Sequence, residues 1–513
     1  MIARVRLHRD TYVDSVVQLA GTRAARAVPG VDWAAAAMAT SGNLETLAAE
    51  GFEDLPDAAA NDLLVAVRAE SEEDLARARE AAETTMFATR DAADGLGGRP
   101  IRHLREAVAQ APDSNVAVIS VPGDYAALEA HKALSAGMDV LLFSDNVPVD
   151  VEVELKRRAA ALDRLVMGPG AGTAMLGGTC LGFSNADGPA EDPGSRVAVV
   201  DAAGTGAQEA AALLDRWGVG VSCVIGLGGR DLTAEVGGLM AHVALDALAA
   251  DERTDVVLLV SKPPAPEVAL AVLAAAPGKP LVAALIGLDD SAVAADGVVV
   301  TRTLEAGAVA ALRAAGHEPP DVAAGLVERV TEEIGRLDAA RTCVRGLFSG
   351  GTLCYESLVL LGDLDLPTHS NTPIDERLGL PAPPGAHQCL DLGEQEYTKG
   401  RPHPMIDPQA RIALLREHGA DPDVAAIVLD VVLGHGANLD PAAELAPACR
   451  EVVEGGAVVV VYVLGTEHDP QGLARQRAAF ADAGCVVTGT AARATLAAAA
   501  IASRKPELAA TAL

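Results

Sequence analysis

The chain has 513 residues, of which 50% are hydrophobic, 22% are charged and only 3% are aromatic. This length and apolar content exclude wholesale disorder and predict three or four domains whose cores consist mainly of aliphatic side chains. The 71 acidic residues outnumber the 40 basic ones, and the net charge of −31 argues against a nucleic acid or an anionic membrane as partner.

The N-terminal segment carries charges within its first ten residues and has no apolar core, so it is unlike a signal peptide. The longest apolar runs are too short to span a membrane. The seven cysteines are scattered and form no CxxC pair, which predicts a reducing compartment and no structural metal. We therefore expect a cytoplasmic protein.

Residues 1–108 predict a small α+β domain, with strands in residues 3–12 and 62–70 and helices in residues 12–28 and 71–86. Ser71 is the expected N-cap of the second helix, with Asp74 in the third helical position.

Residues 109–190 alternate short apolar strands with amphipathic helices, which is typical of a doubly wound parallel sheet. Residues 185–196 are rich in Pro, Gly and Asp and predict a linker.

Two related segments follow, residues 191–335 and residues 336–513. Each opens with an apolar strand, a glycine-rich turn that ends in Gly-Thr, and a helix with a glutamate four residues after the threonine. Matching strands and loops then recur in the same order, which predicts a duplicated α/β domain.

The two glycine-rich turns are candidate anion sites, because a helix that opens directly from such a turn presents unpaired N–H groups and the positive end of its dipole. A capped helix start with nothing bound is the alternative for each turn. If the two domains pack face to face, both helix tips can converge on one phosphate or carboxylate. The residues concerned are Gly204, Thr205, Gly206, Ser349, Gly350, Gly351 and Thr352.

Four further side chains are candidate catalytic residues. Arg230, which follows Gly228 and Gly229, and Arg401 lie in loops expected at the carboxyl ends of parallel strands, where a guanidinium can bind phosphate or carboxylate. A surface ion pair is the alternative for each arginine. His403, between two prolines, could protonate a leaving amide nitrogen, and Lys262 could bind a carboxylate; both could equally be structural or solvated.

Several stretches resemble one family. VLLFSDNVPVDVEVELKRRAAALDRLVMGPGAGTAML, from Val140, and AAGTGAQEAAALLDRWGVGVSCVIGLGGRDL, from Ala202, are similar to the FdrA family, within the superfamily of succinyl-CoA synthetase and ATP-citrate lyase. SGGTLCYESL resembles the opening of the synthetase α-subunit ligase domain, and GRPHPMIDP and LGTEHDPQG resemble FdrA-type motifs near the C-terminus.

The resemblance implies an α/β fold: a Rossmann-like CoA-binding-type domain and two tandem succinyl-CoA-synthetase-like, flavodoxin-like ligase domains after the small N-terminal domain. It also implies that Asn146 lies in a loop that contacts CoA or the acyl site. A plain Asp-Asn turn is the alternative for that residue.

The sequence departs from the superfamily pattern at three places. The segment after Lys279 that matches the phosphohistidine loop has no histidine, while His435 and His468 occur in other contexts. The turn after the first strand of the Rossmann-like domain lacks the glycine-rich CoA loop. No segment is similar to an ATP-grasp nucleotide site.

These departures favour a subunit of an FdrA-type transferase that moves a carbamoyl group between oxamate, or a similar small amide or carboxylate, and phosphate in purine or allantoin breakdown. The alternatives are an acyl-CoA synthetase with an ATP-grasp partner and a non-catalytic regulatory subunit. The implied partners are a small anion, further copies of the chain and companion subunits. CoA, or a nucleotide with Mg²⁺ held by a partner subunit, is the cofactor candidate.

Overall fold

The computed structural model describes residues 1–13, 15–52, 55–59, 61–94, 101, 103–185, 196–275, 278–288, 297–398 and 402–513. The chain divides into two units, the first comprising Met1–Arg102 with Gln395–Pro402 and the second comprising His103–Glu394 with His403–Leu513. Nearly all of the predicted linker, residues 185–196, lies outside the described residues.

The first unit contains an antiparallel sheet of order β1-β3-β2. Its elements are β1 Ile2–His8, α1 Ser15–Arg26, β2 Val31–Met38, α2 Ser41–Ala49, β3 Leu63–Ala69 and α3 Glu72–Asp94. The two strands and two helices predicted here are confirmed, and Ser71 Oγ accepts the Asp74 N–H at 3.1 Å. Strand β2 was not predicted because its alanine run has little strand propensity, and pairing along β3 overrides that preference.

The second unit begins with a three-stranded parallel sheet of order β4-β5-β6. Its elements are α4 Leu104–Gln110, β4 Val116–Ile119, α5 Gly123–Ser135, β5 Asp139–Leu142, α6 Val149–Ala161 and β6 Val166–Met167. The predicted parallel α/β arrangement of this segment is therefore confirmed.

The first ligase-type segment forms a sheet of order β13-β12-β11-β9-β10-β7-β8. The hairpin β7–β8, which the predicted division places in the preceding domain, pairs antiparallel with β10 and so extends this sheet. The elements are β7 Thr173–Leu176, β8 Thr179–Gly182, β9 Val197–Ala202, α7 Thr205–Arg216, β10 Val221–Gly226, α8 Leu239–Ala250, β11 Val256–Ser261, α9 Pro266–Ala274, β12 Leu281–Leu285, β13 Val298–Thr301, α10 Leu304–Ala314 and α11 Leu326–Arg336.

The second ligase-type segment forms a parallel sheet of order β15-β16-β14-β17-β18-β19. Its elements are β14 Cys343–Phe348, α12 Gly351–Asp363, β15 Thr368–Ser370, β16 His387–Asp391, α14 Gln409–Ala420, β17 Val424–Val432, α15 Pro441–Glu454, β18 Val458–Leu464, α16 Leu473–Asp482, β19 Val486–Thr488 and α17 Ala491–Ser503. The intervening helix α13, Gln395–Thr398, belongs to the first unit. Short 3₁₀ helices occupy Glu376–Leu378 and Pro506–Ala510.

The two ligase sheets share one topology. Strands β10-β9-β11-β12-β13 and strands β16-β14-β17-β18-β19 both have the flavodoxin-like order 2-1-3-4-5. The predicted duplication and the pairing of its strands are thus confirmed by the strand order.

Both faces of the first ligase sheet are buried, which explains why its strands are apolar throughout. Val199 and Leu258 pack in a core that includes Phe348 of the second ligase segment, whereas Val200 and Leu259 pack in a core that includes Leu155. Successive strand residues point to opposite faces, so alternate positions join different cores.

The glutamates that mark each copy make reciprocal contacts between the copies. Glu209 on α7 accepts the Ala491 N–H at the start of α17, at 3.4 Å, and the hydroxyl of Tyr462. Glu356 on α12 accepts the Leu304 N–H at the start of α10, at 2.7 Å. Each glutamate therefore caps the helix that follows the last strand of the other copy's sheet.

A buried ion network joins the Rossmann-like segment to the first ligase sheet. The ammonium group of Lys156 on α6 lies 2.8 Å from Glu152, 2.8 Å from Asp231 and 2.9 Å from the Leu227 carbonyl. Asp231 also accepts the Ala241 N–H near the start of α8, at 3.0 Å. The lysine is fully buried and is the cation paired with Asp231 among the described residues, whereas Glu152 also pairs with Arg230 at 2.7 Å.

Replacing Lys156 by Met is expected to lower the free energy of unfolding by about 3–5 kcal/mol, because it leaves the buried carboxylate of Asp231 without a cation. Urea unfolding followed by circular dichroism measures this change. The control is Lys132→Met, which removes a partly exposed pair with Glu129 and should cost less than about 1 kcal/mol. Equal losses in the two variants would contradict the assignment.

Candidate functional site

The two Gly-Thr turns lie in direct contact, as the duplication predicted. The Thr352 hydroxyl donates to the Ala203 carbonyl, so the start of α12 is bonded to the turn before α7. A methyl group added at Gly206 would come within 3.1 Å of Thr352 Cγ2, and one at Gly350 within 2.9 Å of Thr205 Oγ1. Glycine at these two positions permits the close approach of the turns.

Carboxylates of the protein itself bind the N–H groups of both turns. Asp201, at the end of β9, accepts the Gly204 N–H at 2.6 Å. Asp430 on β17 accepts the N–H groups of Ser349 and Gly350, each at 2.7 Å. The expectation of two turns open to an external anion is therefore corrected, because the N–H groups of Gly204, Ser349 and Gly350 are already bonded to carboxylates of the chain.

Asp430 is balanced by a cation of its own. Arg411, on α14, is buried and lies 3.1 Å from Asp430 Oδ1, and it also donates to the Leu347 carbonyl at 3.0 Å. This pair fixes the end of β14 and the start of the second turn.

Lys262 follows β11 and reaches the tip of the second helix. Its ammonium group lies 5.0 Å from the centre of the Tyr355 ring on α12, within cation–π range. A methyl group at Gly351 would come within 3.3 Å of this ammonium group and would overlap Asp391 Oδ2. The ammonium group of Lys262 and the carboxylate of Asp391 thus both lie beside the first residue of α12. They do not form a direct ion pair, since no carboxylate among the described residues lies within 4 Å of the lysine nitrogen.

Asp391, at the end of β16, has an environment suited to proton transfer. Burial raises the pKa of its carboxyl to about 6, while the positive charge of Lys262 opposes that rise. Its Oδ1 atom accepts the Gly393 N–H at 2.9 Å. A carboxyl group that titrates near neutral pH can exchange a proton with a substrate.

His403 lies beside the same turn. A methyl group at Gly393 would come within 2.8 Å of His403 Nε2 and within 3.2 Å of the Ser349 carbonyl. Burial lowers the pKa of His403 to about 4, so the ring is neutral at pH 7. Its Nδ1 accepts the Met405 N–H at 3.2 Å, which leaves the proton on Nε2. The predicted role as a proton-donating imidazolium therefore fits poorly, whereas a neutral hydrogen-bond donor fits.

Two buried polar atoms at the first turn have no hydrogen-bond partner in the structure, namely Asp201 Oδ1 and Thr205 Oγ1. Burial raises the pKa of Asp201 to about 7. Near neutral pH this carboxyl can therefore either accept or donate a hydrogen bond. Such unsatisfied groups are costly unless a ligand or water completes them.

Arg230 makes its contacts away from the contacting turns. Arg230 donates to Glu152 at 2.8 Å and to the Val147 carbonyl at 2.8 Å, so its side chain forms an ion pair with the Rossmann-like segment. A methyl group at Gly228 would clash with the backbone of Gly168 and Pro169. A methyl group at Gly229 would meet no atom within 4 Å. Arg401 lies outside the described residues.

The remaining candidates lie at exposed turns. Asn146 is exposed with a positive φ of 59°, and its N–H bonds to Asp145 Oδ1, which is the geometry of an Asp-Asn turn. His435 pairs through its backbone with Ser184, and the backbone N–H of His468 donates to Thr466 Oγ1 at 3.3 Å. Both histidine side chains are exposed.

Sequence reasoning missed the three aspartates and Arg411. A signal for the aspartates was present, because Asp201, Asp391 and Asp430 each interrupt an apolar strand sequence. A buried strand tolerates a carboxylate only where donors meet it, so such an interruption marks a polar site. Arg411 gave no such signal, since it occurs in an ordinary mixed helix.

The comparisons place this architecture in a known family. The CoA-ligase family matches residues 347–501, and a family described as AllF, heavy metal-associated domain, matches residues 1–100. The uncharacterized protein YahF of Escherichia coli (strain K12) is 35% identical over 509 residues, which cover 96% of each chain. This chain belongs to the FdrA family.

Among solved structures, this FdrA-family chain is similar to the dinucleotide forming acetyl-coenzyme A synthetase 1 of Ca. Korarchaeum cryptofilum, with 16% identity, 77% and 84% of the two chains covered and a TM-score of 0.27. For the ATP citrate lyase of Methanothrix soehngenii the identity is 20%, the coverage is 42% and 38%, and the TM-score is 0.31. The family match over residues 347–501, together with the parallel sheets, identifies the FdrA chain as a CoA-ligase-type α/β protein.

The N-terminal domain of this FdrA-family chain lacks the cysteine ligands of a soft metal. Residues 1–100 contain no cysteine, the ligand that soft metals prefer, and the described residues contain no group of three His, Cys, Asp or Glu side chains suited to a metal. At the turn after β4, a methyl group on Gly123 would lie 2.7 Å from the Asn146 carbonyl, so this glycine permits close contact with the loop after β5. No described helix is long and apolar enough to cross a bilayer.

The raised pKa of Asp201 predicts a pH-dependent stability. The folded state binds this proton more tightly than the unfolded state, so the contribution of Asp201 to stability falls as the pH rises from about 4 to about 7. Asp201→Asn removes that titration and should reduce the slope by up to about 1.4 kcal/mol per pH unit. Urea unfolding at pH 5, 6 and 7 measures it.

The control for this experiment is Asp375→Asn. Hydrogen bonds from Arg377 lower the pKa of exposed Asp375 to about 2, so its stabilising contribution is already complete above pH 4 and its removal leaves the slope between pH 5 and 7 unchanged. If Asp201→Asn has the same slope as the unsubstituted chain, the assigned titration is wrong.

Proposed function

We propose that the contacting turns form the active site of a carbamoyltransferase subunit, which moves a carbamoyl group between the nitrogen of oxamate, or of a similar small amide, and phosphate. The observation that carries the proposal is that Lys262 Nζ and Asp391 Oδ2 both lie beside the same point at Gly351, at the tip of α12. A substrate with both anionic oxygens and N–H groups matches this mixture of a cation and carboxylates. A purely anionic substrate would face Asp201 and Asp391 without donating to them.

In the proposed reaction a phosphate oxygen attacks the carbamoyl carbon of a carbamoylated oxamate. The carbon–nitrogen bond breaks, a carbon–oxygen bond forms, and the proton of the hydrogen phosphate passes to the leaving nitrogen, which yields oxamate and carbamoyl phosphate. Lys262 and the first-turn amides of α12 would hold the phosphate. Asp391, whose pKa is about 6, would carry the proton.

The neutral His403 has a different role in this scheme. Its Nε2–H would donate a hydrogen bond to the substrate carbonyl or to Asp391, and it would not carry charge. The unpartnered Thr205 hydroxyl and Asp201 Oδ1 would complete the site from the first helix. Positioning and electrostatics then supply the catalysis, without a covalent intermediate on the protein.

An acyl-CoA synthetase working with an ATP-grasp partner is the second candidate, favoured by the match of residues 347–501 to the CoA-ligase family. That reaction requires a phosphorylated histidine at the helix tips. His435 and His468 are exposed at other turns, and His403 is the histidine whose ring lies at the second turn.

Lys262→Met should lower kcat/KM for phosphate-dependent formation of carbamoyl phosphate by roughly 100- to 1000-fold, because the phosphate loses its cation. The assay uses the full chain together with the subunits that co-purify with it. Lys505→Met, at an exposed position near the C-terminus, is the matched control and should stay within twofold of the unsubstituted chain.

Asp391→Asn should remove the acidic limb of the pH profile of kcat/KM, which rises through about pH 6 as this carboxyl loses its proton. CoA thioester formation that depends on ATP, with an acid-labile phosphohistidine and no carbamoyl phosphate, would reject the transferase and favour the synthetase.

A further inference from the structure

An arginine-lined cleft lies at the junction of the two ligase sheets, at the opposite end of α7 from the contacting turns. Its volume is about 390 Å³. The walls come from the end of α7, the segment before α11, helix α16 and the edge strand β19; they include Arg216, Trp217, Arg329, Arg477, Thr488 and Gly489. Helix α7 has 12 residues and is therefore about 16 Å long, which is the distance that separates the cleft from the turns.

Two of the arginines have no carboxylate partner within 4 Å among the described residues. Arg216 donates to the Gly489 carbonyl at 2.9 Å and to the Tyr462 hydroxyl at 3.4 Å, and Arg477 donates to the Thr488 carbonyl at 3.4 Å. Burial, and then the positive charge of Arg216, lower the pKa of Arg477. In a chain of net charge −31, the hydrogen bonds of these two adjacent guanidinium groups to the described residues go only to neutral oxygens.

The acidic groups around the cleft do not neutralise this pair. Arg329 is the cleft arginine that has a partner, Glu333, at 2.7 Å. Asp321 is exposed at the rim, Glu467 acts on Arg477 through space, and Glu209 is linked to Arg216 through the Tyr462 hydroxyl. Burial raises the pKa of Glu209 to about 7, so near neutral pH it carries only part of a charge.

The duplicated half provides an internal comparison. Counting from the two turn threonines, the position of Arg216 at the end of α7 corresponds to Asp363 at the end of α12. Counting from the N-cap threonines of α17 and α10, Gly489 corresponds to Arg302. Arg302 and Asp363 form an ion pair at 3.2 Å, so charge is balanced at that junction. At the cleft, Arg216 takes the place of the aspartate and Gly489 takes the place of the arginine. The cleft therefore has unbalanced positive charge and open space.

We propose that this cleft binds a small molecule carrying a phosphate or carboxylate group, with Arg216 and Arg477 as its forked ligands. Guanidinium groups recognise such oxyanions through paired N–H donors. The volume is in the range of small-molecule sites, and Trp217 supplies an apolar wall. The site is independent of the proposed carbamoyl transfer, because its residues lie at the other end of α7.

Trp217 provides a direct readout, since Trp33 is the other tryptophan of the chain. In the full-length Trp33→Phe protein, inorganic phosphate or oxalate should change the Trp217 fluorescence saturably at constant ionic strength, while chloride should not. Saturation by phosphate identifies a phosphate-bearing ligand, and saturation by oxalate alone identifies a dicarboxylate. If neither anion gives a saturable change, the proposal is wrong.

Arg477→Gln in this background should raise the apparent dissociation constant at least tenfold. The matched control is Arg475→Gln on the same helix, whose side chain pairs with Asp440 outside the cleft and should change the constant by less than twofold. Lys262→Met should leave it unchanged, which separates this site from the contacting turns. Equal weakening by Arg475→Gln, or loss of the signal with Lys262→Met, would overturn the assignment.

Discussion

The bond between the Thr352 hydroxyl and the Ala203 carbonyl is the contact on which the site depends. It joins two helix starts that belong to different sheets, and it exists only because glycines at positions 206 and 350 leave the backbones free to approach. A side chain at either position would separate the turns. The groups that surround them would then no longer face one ligand.

The reciprocal glutamates also stabilise the contact between the two copies. Glu209 and Glu356 each cap a helix of the other copy, and burial raises their pKa values to about 7 and about 8. A carboxyl group can accept such a hydrogen bond in either protonation state. The caps therefore stabilise the contact between the copies as long as the N–H groups of Ala491 and Leu304 stay in place. The contact between the duplicated sheets is therefore stabilised by buried polar groups, whose hydrogen bonds water cannot replace.

Differences in sequence between the two copies give the candidate site its mixture of charges. Lys262 follows β11 of the first sheet, but the aspartate beside Gly351 comes from β16 of the second, so neither copy alone supplies both charges. At the far end of α7, Arg216 and Gly489 occur where the other copy has the paired Asp363 and Arg302. The shared topology supplies positions, and the unlike residues at those positions supply the charge.

The sequence by itself determined the strand and helix order, the duplication and the importance of the two glycine-rich turns, because hydrophobic period and turn residues are local properties. It did not reveal strand β2, whose alanines adopt the strand only through pairing with β3. Only the tertiary structure decided which charged residues meet. Arg230 bonds to Glu152 from 78 residues away, and Lys262 reaches a turn almost ninety residues later, since long-range contacts between side chains are set by how the sheets pack.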